Sequence, residues 1–252
     1  MPDSAESYTA GHEELDILFQ DEHLIAVNKP SGLLVHRSEI DRYETRFALQ
    51  LVRDYLGEHV YPLHRLDKPT SGVLIFGRSP EIAKRMMPLF ANQQVTKTYL
   101  AVVRGYTDLH GVIDTPLAEE WDKMTDARAR RDKAPQSAIT TFKQLGTVEL
   151  PFAVGRYPSC RYSLLHVTPQ TGRKHQIRRH LKRIYHPVIG DTTHGDGKHN
   201  QFFRQHYHVE RLLLHLVSMG FTHPVDNTHC TISAALDRTF QFIINEIDWA
   251  TG

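Results

Sequence analysis

The chain has 252 residues, 40% of them hydrophobic and 23% charged, and 30 Lys/Arg against 29 Asp/Glu leave it nearly neutral. That balance belongs to a folded globular protein with enough apolar mass for a large core, and it excludes a disordered polyelectrolyte. No apolar run approaches the ~20 residues of a membrane-spanning helix, and the start MPDSAESYTAGHEEL lacks a basic-then-apolar signal pattern.

The expectation is a cytoplasmic protein without membrane contact, with Cys160 and Cys230, which form no CxxC pair, as free thiols. Residues 1–14 read as a flexible polar tail and 15–252 as one domain. Ile17–Phe19 and Leu24–Val27 predict strands, and the turn Lys29-Pro30-Ser31-Gly32 leads to a third at Leu33–Val35. Phe47, Leu51, Val52, Tyr55 and Leu56 recur at helical spacing, and Gly57 stops that helix. After a loop over 61–72 comes a strand at Val73–Phe76, and Ser79-Pro80-Glu81 opens a helix with proline at its first position.

Lys97–Arg104 predicts a strand whose unbroken apolar stretch, Tyr99–Val103, points to burial on both faces. Residues 118–137 are charged and poor in apolar side chains, so they predict an extended surface loop. Strands at Ile139–Phe142 and Tyr162–Val167 lead into a basic helix, followed by strands at Leu212–Phe221 and Cys230–Ala235 and a helix over 237–247. Strands and helices are intermixed and several strands follow one another directly. The fold class is therefore α+β, with a mixed sheet.

Thr171–Tyr185 holds six Lys/Arg and no acid, so the rest of the chain carries 24 basic against 29 acidic residues. Charge concentrated in this way attracts a polyanion, and nucleic-acid phosphate is the commonest. On a helix, Ile177, Leu181 and Ile184 form one apolar stripe, with Arg178 at its border and Arg179 and Arg183 pointing away. A half-buried Arg178 needs a carboxylate partner. A helix start at Thr171-Gly172 offers backbone N–H groups to an anion. A solvated charged face is the plain alternative, but such faces usually alternate sign.

Asp67 stands beside Arg65 and Lys68, before a turn-rich stretch that feeds a buried strand, and is either a turn-capping residue or a nucleophile or base. The ordered set His64-Arg65-Leu66-Asp67-x-x-Thr70-Ser71-Gly72, Lys97-x-Tyr99-x-Ala101-x-Val103, Gly172-Arg173-x-His175-Gln176-Ile177-Arg178-x-His180-Leu181 and Leu214-His215 closely resembles the RluA family of pseudouridine synthases. The resemblance runs from about residue 15 to the C-terminus and leaves no room for the S4-type RNA-binding module of many rRNA-modifying relatives. Leu117–Lys123 and Gly155–Pro158 resemble, more softly, the branch acting on uridine 65 of tRNA.

The resemblance implies the pseudouridine synthase fold, a mixed, largely antiparallel central sheet flanked by helices with a central RNA-binding cleft, 15–252 as its catalytic domain, and isomerisation of uridine without metal or small-molecule cofactor. It assigns Asp67 as the catalytic carboxylate, Arg178 as its partner, and Tyr99 as the aromatic that stacks on the extruded uracil. A stacked uridine must flip out to be reached. Arg65 then enters the vacated space and Leu214 packs on the base, while Arg173, Lys174, Arg179 and Arg183 are left for RNA phosphates. Tyr99 and Leu214 also read as plain core, Lys97 and His64 as supporting residues.

His194, His199, His206 and His208 lie close in sequence but show no HExxH or cysteine–histidine spacing, so no metal is expected. There is no GxGxxG and no P-loop. The segment Asp122–Lys133 is a solvated loop or a grip on RNA backbone. The partner expected is tRNA and the acting unit a monomer. Large-subunit rRNA as substrate, and a non-catalytic RNA-binding or RNA-folding protein, remain the alternatives.

Overall fold

Strand β1 (Asp16–Gln20) turns back on β2 (Leu24–Lys29), and the Asp21 carboxylate closes the turn by accepting the N–H groups of His23 and Leu24 at 2.7 Å. The computed structural model describes residues 15–36, 45–119 and 134–250; the expected tail 1–14 and most of the charged loop 118–137 lie outside them. The expected strand at Leu33–Val35 is instead a loop with an isolated bridge from Leu34 to Phe47, its Leu34 and Val35 carbonyls accepting the Ala48 and Leu49 N–H groups at 2.8 and 2.9 Å. Its backbone is used otherwise: Gly32 N–H donates to the Lys68 carbonyl at 2.8 Å, and the Leu33 carbonyl accepts from Lys29.

Helix α1 (Ala48–Leu56) ends where the sequence predicts, at Gly57, whose φ of 68° suits a residue without Cβ. A two-residue strand β3 (Tyr61–Pro62) lies within the expected loop and is followed by the fully buried β4 (Ser71–Gly77). Helix α2 (Pro80–Ala91) starts at its predicted signal, Ser79 Oγ accepting the Ile82 N–H at 3.2 Å. Then come β5 (Thr96–Arg104), β6 (His110–Asp114), β7 (Ile139–Leu150), β8 (Cys160–Pro169) and α3 (Gln176–Arg183). Helix α4 (Gly197–Tyr207), β9 (Leu214–Thr222), β10 (His229–Ser233) and α5 (Arg238–Glu246) complete the described elements.

One sheet runs in the order β1-β2-β4-β9-β5-β8-β7-β6, with β10 added to β9 and β3 to β4. All named strand pairs are antiparallel except β4–β9, where Ser71 lies opposite His215 and Gly72 opposite Leu216. The mixed, largely antiparallel sheet of the sequence reading is thus present. Alternation along β5 serves both faces: Tyr99, Ala101 and Val103 join α1, α2 and α3 in one apolar cluster, Leu100 and Val102 join α4 and α5 in the other. Parity along one strand therefore decides that Tyr99 looks toward α3.

β6, α4 and the outer half of β7 are not anticipated by the sequence. α4 buries Phe203 alone among its residues, and β6 opens on His110-Gly111, so neither carries a strong periodic signal. Among the described residues no helix is long and apolar enough to cross a membrane.

Candidate active site

Buried Leu63 and Leu66 anchor the loop between β3 and β4, leaving Arg65 exposed and Asp67 partly so. Asp67 closes the turn at Lys68-Pro69 with its main chain, its carbonyl accepting the Thr70 N–H at 3.0 Å. Its side chain remains available for other contacts. The loop is tied from outside by Lys29, a buried side chain whose Nζ donates to the carbonyls of Pro30, Leu33 and Lys68 at 2.9, 2.7 and 3.1 Å. Burial, with Arg211 adding repulsion and Asp67 opposing it, lowers the Lys29 pKa to about 7. Ser31 Oγ donates to the Pro69 carbonyl at 2.7 Å.

The far end of the loop is held as firmly. Ser71 Oγ lies 2.7 Å from His215 Nδ1 and accepts from Arg211 Nη2 at 2.7 Å, while Arg211 also pairs with Asp237. Gly72 has φ 113°, and a Cβ there would run into the Leu216 backbone. That close approach is what the β4–β9 pairing requires.

Helix α3 presents Arg178 to this loop. Sequence spacing puts Arg178 at the border of the apolar stripe, half-buried; it is in fact 4% exposed. Burial on that scale is sustained by two carboxylates rather than one. Nη1 donates to Asp67 Oδ2 at 3.1 Å, while Nε and Nη2 clamp Asp191 at 2.7 and 2.8 Å. Desolvation would lower the Arg178 pKa, but Asp191 and Asp67 outweigh it and raise it. Desolvation likewise works to raise Asp191, yet the Arg178 bonds and the N–H groups of His194 and Thr193 hold its carboxyl below the usual range. Asp191 is not singled out by the sequence reading. Its position after the apolar run Val188-Ile189-Gly190 is the one signal that could have marked it as buried.

α3 does not begin at Thr171-Gly172. It opens at Gln176, behind His175 in a left-handed conformation (φ 54°). The cause is the Gln176 amide: its Oε1 accepts from Thr171 Oγ1 at 2.7 Å and Arg173 N–H at 3.0 Å, and its Nε2 donates to the Ile139 carbonyl at 2.9 Å. The loop 171–175 is thereby pinned to β7. His175 also joins the site, Nε2 lying 4.0 Å from Asp67 Oδ2 and Nδ1 3.1 Å from His194 Nε2.

Two connected hollows meet at Asp67. The larger, about 1920 Å³, is lined by residues of loop 30–36, by Asp67 and by residues from 117–119, 172–179, 208–212 and 236–239, among others. The smaller, about 100 Å³, is lined by Asp67, Tyr99, Arg178, Leu214, Lys97 and His64 among others. Arg65 and Arg173 border both, Lys174 and Arg179 only the larger. Arg183, though exposed, borders neither, because it lies at the far end of α3. Tyr99 and Leu214 are buried core and cavity wall at once. Burial foremost, then the Asp67 charge, push the Tyr99 hydroxyl well above the ordinary phenol range, so it stays protonated.

Of the four discounted histidines, His194 meets His175, His199 Nδ1 lies 2.9 Å from the Tyr162 hydroxyl, and His206 stacks on Phe202. His208 borders the larger hollow. Among the described residues no three His, Cys, Asp or Glu side chains are grouped as metal ligands.

Residues 23–183 match the family described as RNA pseudouridylate synthase. The chain is 51% identical over 235 residues to the tRNA pseudouridine synthase C of Vibrio cholerae, covering 93% of this chain and 96% of that one. It is 52% identical over 235 residues to the protein of the same name from Pasteurella multocida, covering 93% and 97%. Among solved structures, human RNA Pseudouridylate Synthase Domain Containing 4 superposes with a TM-score of 0.68 at 25% identity, over 94% of this chain and 95% of that one. Human RNA Pseudouridylate Synthase Domain Containing 1 shares the fold, with a TM-score of 0.69 at 23% identity over 95% and 89%.

Proposed function

The chain belongs to the RNA pseudouridylate synthase family, and from that footing we propose that it converts uridine to pseudouridine in tRNA, with Asp67 as the catalytic carboxylate. The observation that carries this reading is the ion-paired Asp67 in the wall of a hollow on the scale of one base, with Tyr99 and Leu214 beside it in that wall.

The isomerisation breaks the N1–C1′ bond, turns the base and rejoins it through C5, so nothing is added and nothing is oxidised. The uridine reaches the small hollow only after leaving its stack. Arg65, exposed on the rim, fills the space it vacates. The Tyr99 ring and Leu214 hold the base by stacking and apolar contact. Asp67, oriented by Arg178, then acts on the sugar, either at C1′ or on the C2′ proton. Arg173, Lys174 and Arg179 take phosphates along the larger hollow. All these groups come from one chain, so a monomer suffices, acting in the cytoplasm where tRNA is found.

The substrate rests on the relatives' names, and within tRNA the likeness at Leu117–Lys123 and Gly155–Pro158 makes uridine 65 the first target to test. Of these segments, 120–123 lie outside the described residues. Substoichiometric protein should release tritium from tRNA transcripts carrying C5-tritiated uridine, and Asp67→Asn should bind the same tRNA without release. Release from large-subunit rRNA alone would move the substrate, and binding without release by the native protein would leave only an RNA-binding protein.

A further inference from the structure

Lys97 stands two positions before Tyr99 on β5, and strand alternation points both side chains to the face that meets α3. Both line the small hollow with Asp67. The Lys97 ammonium lies 5.3 Å from the centre of the Phe90 ring. Burial lowers its pKa, and among the described residues no carboxylate opposes that. Its neighbour His64 is kept neutral: burial first, then Lys97 itself, push the imidazole down to about 3, and its Nε2 accepts the Ile75 N–H at 3.2 Å. Arg178, the other cation in these walls at depth, already faces two carboxylates.

A half-buried ammonium with no ion-pair partner among the described residues is unfavourably placed in the resting protein. Its position becomes favourable if negative charge arises beside it during turnover. The reaction proposed above supplies that charge. When N1–C1′ breaks, the electron pair stays on N1 and spreads over the base onto O2 and O4. Asp67 cannot answer it, being itself a carboxylate, and Tyr99 is a neutral phenol. We propose that Lys97 is a catalytic residue that stabilises the detached uracil as an anion in the small hollow. C5 then bonds to C1′, the C5 proton departs and N1 takes one up, so the balance is zero. Lys97 stays protonated and transfers nothing. The role is electrostatic, prepared before the charge appears.

This rests on the isomerase reading, and the test separates the two. Wild type, Lys97→Met and Lys97→Arg are compared in single turnovers on tRNA transcripts carrying either uridine or 5-fluorouridine, following loss of the target nucleoside after nuclease digestion. Fluorine stabilises the detached base as an anion, so that substrate needs less help. Lys97→Met should lose about 10²- to 10³-fold on uridine, and on 5-fluorouridine about tenfold less than that, with unchanged tRNA affinity. Lys97→Arg should recover part of the loss. An equal loss on both RNAs, or none, would overturn the role and leave Lys97 as a packing contact on Phe90. If Lys97→Met fails to fold, Lys97→Arg and Lys97→Gln carry the same comparison. A wild type inert on every uridine RNA would sink the isomerase reading itself.

Discussion

The guanidinium of Arg178 reaches across 111 positions of sequence to place Nη1 3.1 Å from Asp67 Oδ2. The rest of its fork is committed to Asp191, so Asp67 meets a cation that cannot swing away. An acid on a surface turn acquires a fixed direction in this way.

Asp191→Asn keeps the shape of the clamp and removes its charge. Arg178 then leans on Asp67 alone, and the geometry at the reacting carboxylate loosens. We expect kcat to fall about 10²-fold, the scale of an ångström-level misplacement, with KM for tRNA nearly constant. Arg178→Ala is harsher: it strands buried Asp191, and urea titration should show a loss of about 3–5 kcal/mol.

Acid should destabilise the protein through two histidines, His215, which is buried, and His64, which is partly so. His64 and His215 titrate at about 3 and about 4, burial being the main cause in each. The unfolded chain protonates them near pH 6.5, so below that it binds more protons than the native state, and stability falls as pH drops. His215 contributes on the order of 3 kcal/mol across this window. In His215→Gln the decline between pH 6.5 and 4 should be flatter, and an unchanged slope would show that this imidazole is not held neutral.

Lys29 acts in the opposite range. With a folded pKa of about 7 against 10.5, the unfolded chain holds more protons between those values, so this group adds stability as pH rises through them. Lys29→Met should lose that rise. It also leaves three carbonyls without their donor, and the net cost should be about 2–4 kcal/mol. Stability measured by urea at pH 7 and pH 10 reads both effects.

Gly72→Ala places a methyl against the Leu216 backbone at a φ of 113°. Strain and overlap together should cost about 3 kcal/mol or more. Because Gly72 pairs with Leu216 where β4 meets β9, activity should fall with the melting temperature. A variant as stable as the native protein would mean that the two strands can separate here at little cost.

Much of the architecture is written in local patterns. Gly57 stops α1, Ser79-Pro80 starts α2, and the unbroken apolar run in β5 announces burial on both faces, because periods of 3.6 and 2 and capping chemistry act over a few residues. The four spaced motifs also carried the family and singled out Asp67, Tyr99 and Arg178. Other features depend on partners far away in the chain. Leu33–Val35 has a strand's composition, yet its carbonyls are taken by Lys29 and by the first N–H groups of α1. Gln176 delays α3 by folding its amide onto the preceding turn. Asp191, the Lys29 tie and the place of Lys97 in the small hollow emerge only when β4, β9 and β5 lie side by side. Periodicity tells which face of an element is apolar, but the charges that meet across that face depend on strand order and register, and no local pattern encodes those.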